Sequence, residues 1–266
     1  VTAVAVPEST NPEDVSTTVK AFMAADLPHE LIKLLEPIVL QPSAFSDNRS
    51  LKNLLMLTAI RTDKAKVTGY IERLSGYDVD EIAKIAIDHG LFEEAFQIYS
   101  KAGQNTDAMD VLVEHIVSID RAQHFANKLN LPEIWSRLGK AQLDGLRVKD
   151  AMESYVRAED PSNFEEVIEI AERAGREEEL IRYLQMARKL TREPKIDTEY
   201  AYCLAKAHRL SDMEEFLSMT NVADVLHVGE KCFNDGLYEA SRLLFSSVSN
   251  YARLATTLVY LNDFPG

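Results

Sequence analysis

Histidine and glycine motifs are the first places to look for chemistry in this sequence. The six histidines are scattered along the chain at His29, His89, His115, His124, His208 and His227. No two of them have the i, i+4 spacing, with a glutamate between, that places two imidazoles around a zinc ion on one helix face. Neither Gly-x-Gly-x-x-Gly nor Gly-x-x-x-x-Gly-Lys occurs to cradle a phosphate. The sequence therefore predicts neither a zinc-hydrolase helix nor a nucleotide-binding loop.

Acidic runs are the next candidates, as metal ligands or as acid–base carboxylates. The runs 165–166 and 177–179 consist of adjacent glutamates, which diverge by about 100° on a helix and cannot converge on one ion. We interpret both runs as solvated helix faces. The stretch 78–81 resembles the start of a calcium loop, but Ala83 stands where its glycine belongs. A helix cap explains this stretch better.

No combination of these residues points to an enzyme. No Asp-Asp-x-x-Asp cluster is present to hold magnesium for isoprenoid diphosphate chemistry. A catalytic triad can be assembled from residues that are distant in sequence, so a sequence alone does not exclude one. No residues in this sequence indicate a triad. We predict no catalytic residue, no cofactor and no metal site.

Composition and charge narrow the class of protein. Apolar residues make up 46% and charged residues 27% of the 266, a balance typical of a folded chain, and ten glycines with nine prolines favour helices over a turn-rich β fold. The net charge of −14 would repel nucleic acids and anionic membranes. Cys203 and Cys232 lie among apolar residues at helical spacing, which predicts reduced core positions and suits the cytosol.

A helix–turn–helix unit repeats along the chain with a period near thirty residues. In Ile82–Tyr99, apolar residues at helical spacing stop at Gly90 and restart directly after it, which is typical of two helices joined by a tight turn. Further copies cover 21–35, 54–71, 111–125, 141–155, 167–184, 202–216 and 225–244. The predicted turns lie at Asp26, Thr62, Gly90, Ser118, Gly145, Gly175, Arg209 and Gly236.

Such repeats predict an all-α fold, because one helical hairpin cannot bury its apolar faces without a neighbour. We expect an α-solenoid of about eight stacked helical hairpins over residues 1–266, as a single continuous segment with no internal domain boundary. Ala95 and Ala151 should let paired helices approach closely, and Tyr99 and Tyr155 should pack on the next hairpin. Both ends of the sequence look cut from a longer solenoid.

Capping residues predict where several helices begin. Asp78 with Glu81 and Ser211 with Glu214 have the spacing of a capping box. Pro12 after Asn11 and Pro161 after Asp160 fit the first position of a helix. Residues 41–47 are expected to form a longer loop between helices, either an ordinary irregular one or one that bends the superhelix locally.

Several stretches of these repeats resemble clathrin heavy chains. The phrases that carry the resemblance are 19–23, 27–28, 30–32, 34–36, 53–55, 57–60, 91–96, 183–189, 248–250 and 253–255. The similarity runs from about Pro12 to Phe264, nearly the whole chain. Phrases as long as Tyr183–Lys189 are far more specific than a repeat pattern.

The resemblance implies a structural scaffold. Clathrin heavy chains are three-legged molecules that interweave into polyhedral coats on the cytoplasmic face of coated pits and vesicles, and this segment resembles the leg near the knee. Its implied partners are clathrin light chain and other heavy-chain legs, with membranes reached only through adaptors. Lys206 and Arg209 are the candidate residues for contacting an acidic partner, and two ordinary solvated charges are the alternative.

Two other classes of protein share helical repeats. A vesicle-tethering subunit of the vacuolar sorting type also carries clathrin-like repeats, and a different domain outside this segment would distinguish it. A helical-repeat RNA reader needs a basic concave face, which the charge of −14 argues against. The long matching phrases favour clathrin heavy chains.

Overall fold

Helices make up the structure throughout the part of the chain that the computed structural model describes, residues 11–261, and that range contains no strand. There are seventeen α-helices in it: α1 (Pro12–Ala24), α2 (Pro28–Leu40), α3 (Arg49–Thr62), α4 (Val67–Arg73), α5 (Val79–Asp88), α6 (Phe92–Ala102), α7 (Asn105–Asp110), α8 (Ile119–Leu129), α9 (Pro132–Asp144), α10 (Val148–Ala158), α11 (Phe164–Ala174), α12 (Glu177–Leu190), α13 (Pro194–Lys206), α14 (Leu210–Ser218), α15 (Val225–Asn234), α16 (Tyr238–Ser247) and α17 (Tyr251–Leu261). A 3₁₀ turn (Lys64–Lys66) precedes α4, and a π-helical turn (Val111–His115) follows α7. The all-α prediction is confirmed.

The chain falls into two compact units, the first ending at Ala122 and the second beginning at Gln123. The division lies within α8. Each unit has its own core of buried aliphatic and aromatic side chains. The single continuous solenoid without a boundary stays a prediction.

Within the first unit, helices pack on their neighbours along the chain and on the next but one. The helix α2 packs against α1 and α3, and α5 packs against α6. In addition, α3 packs against α5 and α4 against α6. Fully buried Leu55, Ile60 and Ala83 belong to the core that these contacts create. This is the packing of stacked helical hairpins, in which each pair covers the apolar faces of the next.

The second unit repeats the same scheme. Its consecutive helices pair as α9 with α10, α11 with α12, α13 with α14 and α15 with α16. Contacts to the next helix but one join α10 to α12, α13 to α15 and α14 to α16. Along the chain, α1 to α16 follow one another as eight consecutive pairs, the predicted number of hairpins, and α17 packs on α16.

Ala95, Ala151 and Tyr155 lie where the repeat pattern predicts. Ala95 and Ala151 are completely buried. The ring of Tyr155 in α10 meets the ring of Tyr183 in α12 edge-on, with centroids 6.1 Å apart. Tyr155 therefore packs on the next hairpin, as expected.

The turns inside the hairpins close in a recurring way. At Gly90, φ is +75° and the amide of Leu91 donates to the carbonyl of Ala86 at 2.8 Å. This left-handed residue with its six-residue hydrogen bond is a Schellman motif, which satisfies the last carbonyls of the first helix. The α9–α10 turn closes identically, but there Leu146 (φ +57°) and not the predicted Gly145 is left-handed. The prediction at Gly145 is thus one residue early, whereas those at Ser118 and Arg209 are one residue late, since Val117 and His208 have positive φ.

Two of the predicted helix starts are wrong. Ser211 is the second residue of α14 (Leu210–Ser218), so it forms no capping box with Glu214. The reason is that the tight turn at His208 restarts the helix immediately. Pro161 does not begin a helix either, because α11 starts at Phe164. The Asp160 carboxylate instead accepts a bond from the Ser162 amide at 2.9 Å, which forms a separate turn before α11.

The remaining helix starts are confirmed. The side chain of Asn11 accepts a hydrogen bond from the Glu13 amide at 3.1 Å, and Pro12 is the first residue of α1. Asp78 caps α5 by accepting from the Glu81 amide at 3.2 Å. The predicted loop at 41–47 separates α2 from α3, although Pro37 lies inside α2.

Candidate interaction surface

Lys206 and Arg209, the predicted partner-binding residues, lie at the end of α13 and in the turn that follows it. Both face the first turn of α12. The Lys206 ammonium is 2.5 Å from the Glu177 carboxylate, and the Arg209 guanidinium is 3.4 Å from Glu178. Arg209 also donates from Nε to Asp212 at 2.5 Å. The structure brings the two residues together, but with acidic partners already in place.

These pairs shift the titration of their members. A hydrogen bond from Lys206 holds the pKa of Glu177 below its ordinary value. Burial lowers the pKa of Lys206, but the hydrogen bond to Glu177 and the acidic groups nearby together outweigh burial, so this pKa is raised overall. Opposite charges at this distance each favour the ionised form of the other. An acidic partner would therefore compete with the carboxylates of α12 for Lys206 and Arg209. We had interpreted the glutamates 177–179 as solvated and so did not predict these ion pairs.

A second cluster joins three consecutive hairpins of the second unit. Burial raises the pKa of Glu199 in α13 to about 7, and a hydrogen bond to Glu172 of α11 adds to the rise while Lys231 and Lys206 oppose it. The Lys231 ammonium of α15 lies 3.6 Å from the Glu172 carboxylate and 3.6 Å from the centroid of the Tyr202 ring. Two carboxyl groups that share a site cannot both ionise at low cost.

A buried ion pair lies near the opposite end of α13. Arg188 of α12 donates from Nε to Asp197 at 2.9 Å, and their side chains are only 17% and 8% exposed. The second oxygen of Asp197 accepts from the Val222 amide at 2.9 Å, which ties the loop before α15 to α13. The Arg188 guanidinium also stacks 4.7 Å from the centroid of the Phe216 ring. One carboxylate thus links three segments of the chain.

The structure places both cysteines in the core, as predicted. Cys203 of α13 and Cys232 of α15 are buried and not disulfide-bonded. Burial raises the pKa of both thiols, that of Cys232 to about 12. A thiol held in its neutral form in this way is a poor nucleophile and a poor metal ligand.

Comparison with protein families accounts for the repeats. The family model named Clathrin, a region in clathrin and VPS, matches residues 6–150 and 155–266. The chain belongs to this clathrin repeat family. Its repeats are thus clathrin repeats, and the two matched ranges together cover both compact units.

The chain is also similar in sequence to individual clathrin heavy chains. The chain is 58% identical over 266 residues to the probable clathrin heavy chain of Schizosaccharomyces pombe. It is 51% identical over 262 residues to the clathrin heavy chain of Drosophila melanogaster and 50% identical over 260 residues to clathrin heavy chain 2 of Homo sapiens. These alignments cover 98–100% of this chain and 16% of each relative, so the chain spans about a sixth of their length.

Within this clathrin repeat chain, ion pairs between residues about one repeat apart recur in both units. The pairs of the first unit are Glu36–Lys66, Arg49–Asp78 and Glu93–Arg121. Those of the second unit include Lys140–Glu166, Glu165–Lys195, Glu177–Lys206 and Glu230–Arg253. Each joins one hairpin to a neighbour. The arrangement can hold adjacent repeats in register, and it contains no nucleophile paired with a base.

Neither a metal centre nor a membrane span stands out in the part of the chain that the structure describes. Among residues 11–261, no three His, Cys, Asp or Glu side chains are grouped so that they could hold a metal ion. Over the same range, no helix combines the length and hydrophobicity needed to cross a bilayer.

Proposed function

We propose that this chain is a leg segment of a clathrin heavy chain and acts as a structural scaffold in the polyhedral coat of coated pits and vesicles. The observation that carries the proposal is the 58% identity to a probable clathrin heavy chain over all 266 residues. Its work in endocytosis and vesicle transport is mechanical, not catalytic. Its place is the cytoplasmic face of the coated membrane, which it reaches through adaptors and not by direct insertion.

The packing suits a strut. Within each unit, hairpins bury apolar faces on their neighbours, so a load can pass from one hairpin to the next inside that unit. Ion pairs one repeat apart, such as Lys140–Glu166, resist sliding between neighbouring hairpins. Contacts between legs of different molecules would then be weak individually and strong together, which allows a coat to assemble and come apart.

A vacuolar-sorting or vesicle-tethering subunit is the alternative function, since the family description also includes VPS proteins. The identities of 58%, 51% and 50% are to clathrin heavy chains, which favours the coat.

A chimera tests the coat function directly. The matching segment of the fission yeast heavy chain is replaced by this chain, and the purified chimera is examined by electron microscopy for three-legged molecules and closed cages. We expect both to form. A chimera that folds and trimerises but builds no cages would overturn the proposal.

We further propose that Lys206 and Arg209 contact clathrin light chain. Their position on the second unit and their positive charge support this role. A labelled light chain is titrated with this chain, with a longer heavy-chain leg as the positive control. Lys206→Glu with Arg209→Glu should abolish saturable binding. Lys140→Glu with Lys195→Glu is the matched control, because it breaks comparable pairs to Glu166 and Glu165 and should leave binding intact.

The two compact units are, in our proposal, successive parts of one continuous solenoid. A compact domain of this length would have a radius of gyration of about 18 Å. Small-angle scattering should give a clearly larger value. A value near the compact one would contradict the continuous solenoid and leave the coat chimera as a separate question.

A further inference from the structure

The hydroxyl group of Tyr99, in α6 of the first unit, is almost buried and has no hydrogen-bond partner. Tyr99 is only 5% exposed, and its hydroxyl forms no hydrogen bond with another residue of 11–261. Burial raises the pKa of this hydroxyl, and the carboxylates of Asp107, Asp80 and Asp110 add to the rise, so acidic side chains lie near it. Buried polar groups usually have a partner. A hydroxyl oxygen beside carboxylates can accept from a positively charged donor.

Three neighbouring helices bring these groups together. Asp80 lies in the first turn of α5 and Asp107 in the first turn of α7, and α6 packs against both helices. Between α6 and α7, the side-chain amide of Gln104 donates to Asp80 at 3.0 Å and so links the start of α7 to α5. The Oε1 atom of Gln104 is buried and accepts no hydrogen bond from the part of the chain that the structure describes. The first unit thus has two unsatisfied acceptors and two carboxylates in one place.

The basic residues next to this site in the sequence do not neutralise it. Lys101 donates from Nζ to three main-chain carbonyls at the end of α4 and just after it, at 2.6–3.0 Å. Lys84, one helical turn after Asp80, is exposed and forms no ion pair within residues 11–261. Asp110 has interactions of its own, so only Asp80 and Asp107 are assigned to the site.

The two carboxylates are suited to an organic cation. Asp80 and Asp107 are exposed, and neither forms an ion pair with a described residue. Each lies in the first turn of a helix, where free amides stabilise a carboxylate and keep it charged. No three acidic side chains in 11–261 are grouped closely enough to hold a metal ion. A guanidinium can reach separate acceptors, because it has five N–H donors in one plane.

We propose that Asp80, Asp107 and the hydroxyl of Tyr99 bind an arginine side chain from a basic segment of a partner protein. The guanidinium donates to the two carboxylates and to the hydroxyl oxygen. The net charge of −14 attracts a basic segment as it approaches. This surface takes a partner of opposite charge to the one proposed for Lys206 and Arg209. The inference goes beyond the scaffold role and does not depend on it.

Fluorescence anisotropy with a defined probe tests the proposal. The probe is a fluorescein-labelled peptide of alternating arginine and glycine, and its comparison peptide has the neutral analogue citrulline in place of arginine. We expect the arginine peptide to saturate the whole chain at concentrations below about 1 mM and the citrulline peptide not to bind. Added salt should weaken the binding, because exposed charges are screened. A failure of the arginine peptide to saturate would overturn the proposal.

Charge removal locates the binding. Asp80→Asn with Asp107→Asn should weaken the binding of the arginine peptide by about tenfold or more. The matched control is Glu13→Gln with Glu30→Gln, which removes two exposed carboxylates from the first turns of α1 and α2 and should change little. Both double variants change the net charge by the same amount. Equal weakening by the two would mean a general charge effect and would overturn the assignment.

Tyr99→Phe tests the hydroxyl separately, because it keeps the buried ring and removes only the oxygen. Circular dichroism verifies that the variant is folded, and its affinity for the arginine peptide should fall by about threefold to tenfold. An unchanged affinity would overturn the role given to the hydroxyl. Free spermine that binds as tightly as the arginine peptide would assign the site to polycations in general and overturn the choice of an arginine side chain.

Discussion

The ion pairs Arg121–Glu93 in the first unit and Arg188–Asp197 in the second join neighbouring hairpins with the same chemistry. In each, an arginine meets a carboxylate and also lies over an aromatic ring, 5.7 Å from the centroid of Phe96 in one and 4.7 Å from that of Phe216 in the other. The side chains of the first pair are 46% and 53% exposed, and those of the second 17% and 8%.

This difference in burial decides what each pair contributes. Around Arg121 and Glu93, water solvates both charges whether or not they are paired, so the pair contributes little to stability. If one member of the buried pair is removed, the other charge is left without water or a partner. The stiffness of such a repeat stack therefore depends on a few buried pairs more than on the number of surface pairs.

The largest expected effect comes from Asp197→Ala. It should lower the free energy of unfolding of the second unit by about 3–5 kcal/mol, because it leaves Arg188 buried without its carboxylate. Urea denaturation followed by the fluorescence of Trp135, the sequence's one tryptophan, reports on this unit. Glu93→Ala is the control, and because Glu93 lies in the first unit, its effect is measured by hydrogen exchange of that unit's amides. Equal small effects of the two substitutions would contradict the role given to burial.

The neighbouring carboxyl groups of Glu199 and Glu172 extend the comparison from oppositely charged pairs to a pair of like charge. The pKa of Glu199 is raised to about 7 in the folded chain, so folding favours its neutral form. Its contribution to stability should thus be fully present below about pH 4.5 and be lost as the pH rises to about 7, a total of up to about 3 kcal/mol. Glu199→Gln should flatten this decline in urea midpoints. An unchanged profile in this variant would assign the pH dependence to other groups.

Glycine substitutions extend the comparison from charge to steric fit. A Cβ at Gly229 would lie 2.9 Å from the fully buried ring of Phe245, whereas a Cβ at Gly69 would have no atom within 4 Å. Gly229→Ala should destabilise the fold by about 1–3 kcal/mol through overpacking. Gly69→Ala should stabilise it by up to about 1 kcal/mol through helix propensity. In thermal denaturation, Gly229→Ala should lower the melting temperature and Gly69→Ala should raise it. A change in the same direction for both variants would show that burial does not decide the effect of the added methyl group.

The smallest effect should come from the exposed pair itself. A double-mutant cycle with Arg121→Ala and Glu93→Ala should give a coupling energy of about 0.2–1 kcal/mol, reduced further by salt. Hydrogen exchange of the first unit's amides gives the stabilities. A coupling energy as large as the loss of unfolding free energy in Asp197→Ala would show that exposed and buried ion pairs contribute equally to stability.

The helices and turns could be predicted because they depend on local sequence. Apolar spacing on each side of Gly90 and Gly236 located two hairpins, and positive φ at both glycines agrees with that. At Val117, Leu146 and His208 the left-handed residue is not a glycine, and there the predicted turn was off by one residue. The same shift explains the error at Ser211, which lies inside a helix that restarts sooner than its composition indicates.

The polar contacts between hairpins could not be predicted from local sequence. Nothing near Arg188 shows that its partner is Asp197 or that Phe216 stacks on it, because these contacts depend on which helix faces meet. Glu172 and Glu199 are separated by about one repeat, a spacing that could have pointed to their proximity. The charge of Lys206 was visible in the sequence, whereas its pairing with Glu177 was not.

The leucine in the α9–α10 turn has a consequence for the order of folding. A left-handed conformation costs a residue with a side chain about 1–2 kcal/mol, a cost that glycine avoids. Before other contacts form, the α5–α6 hairpin with Gly90 can close by itself more readily than the α9–α10 hairpin with Leu146. We therefore expect hairpins with glycine turns to nucleate early, and those with turns like Leu146 to close only once a neighbouring hairpin has given them a surface on which to fold.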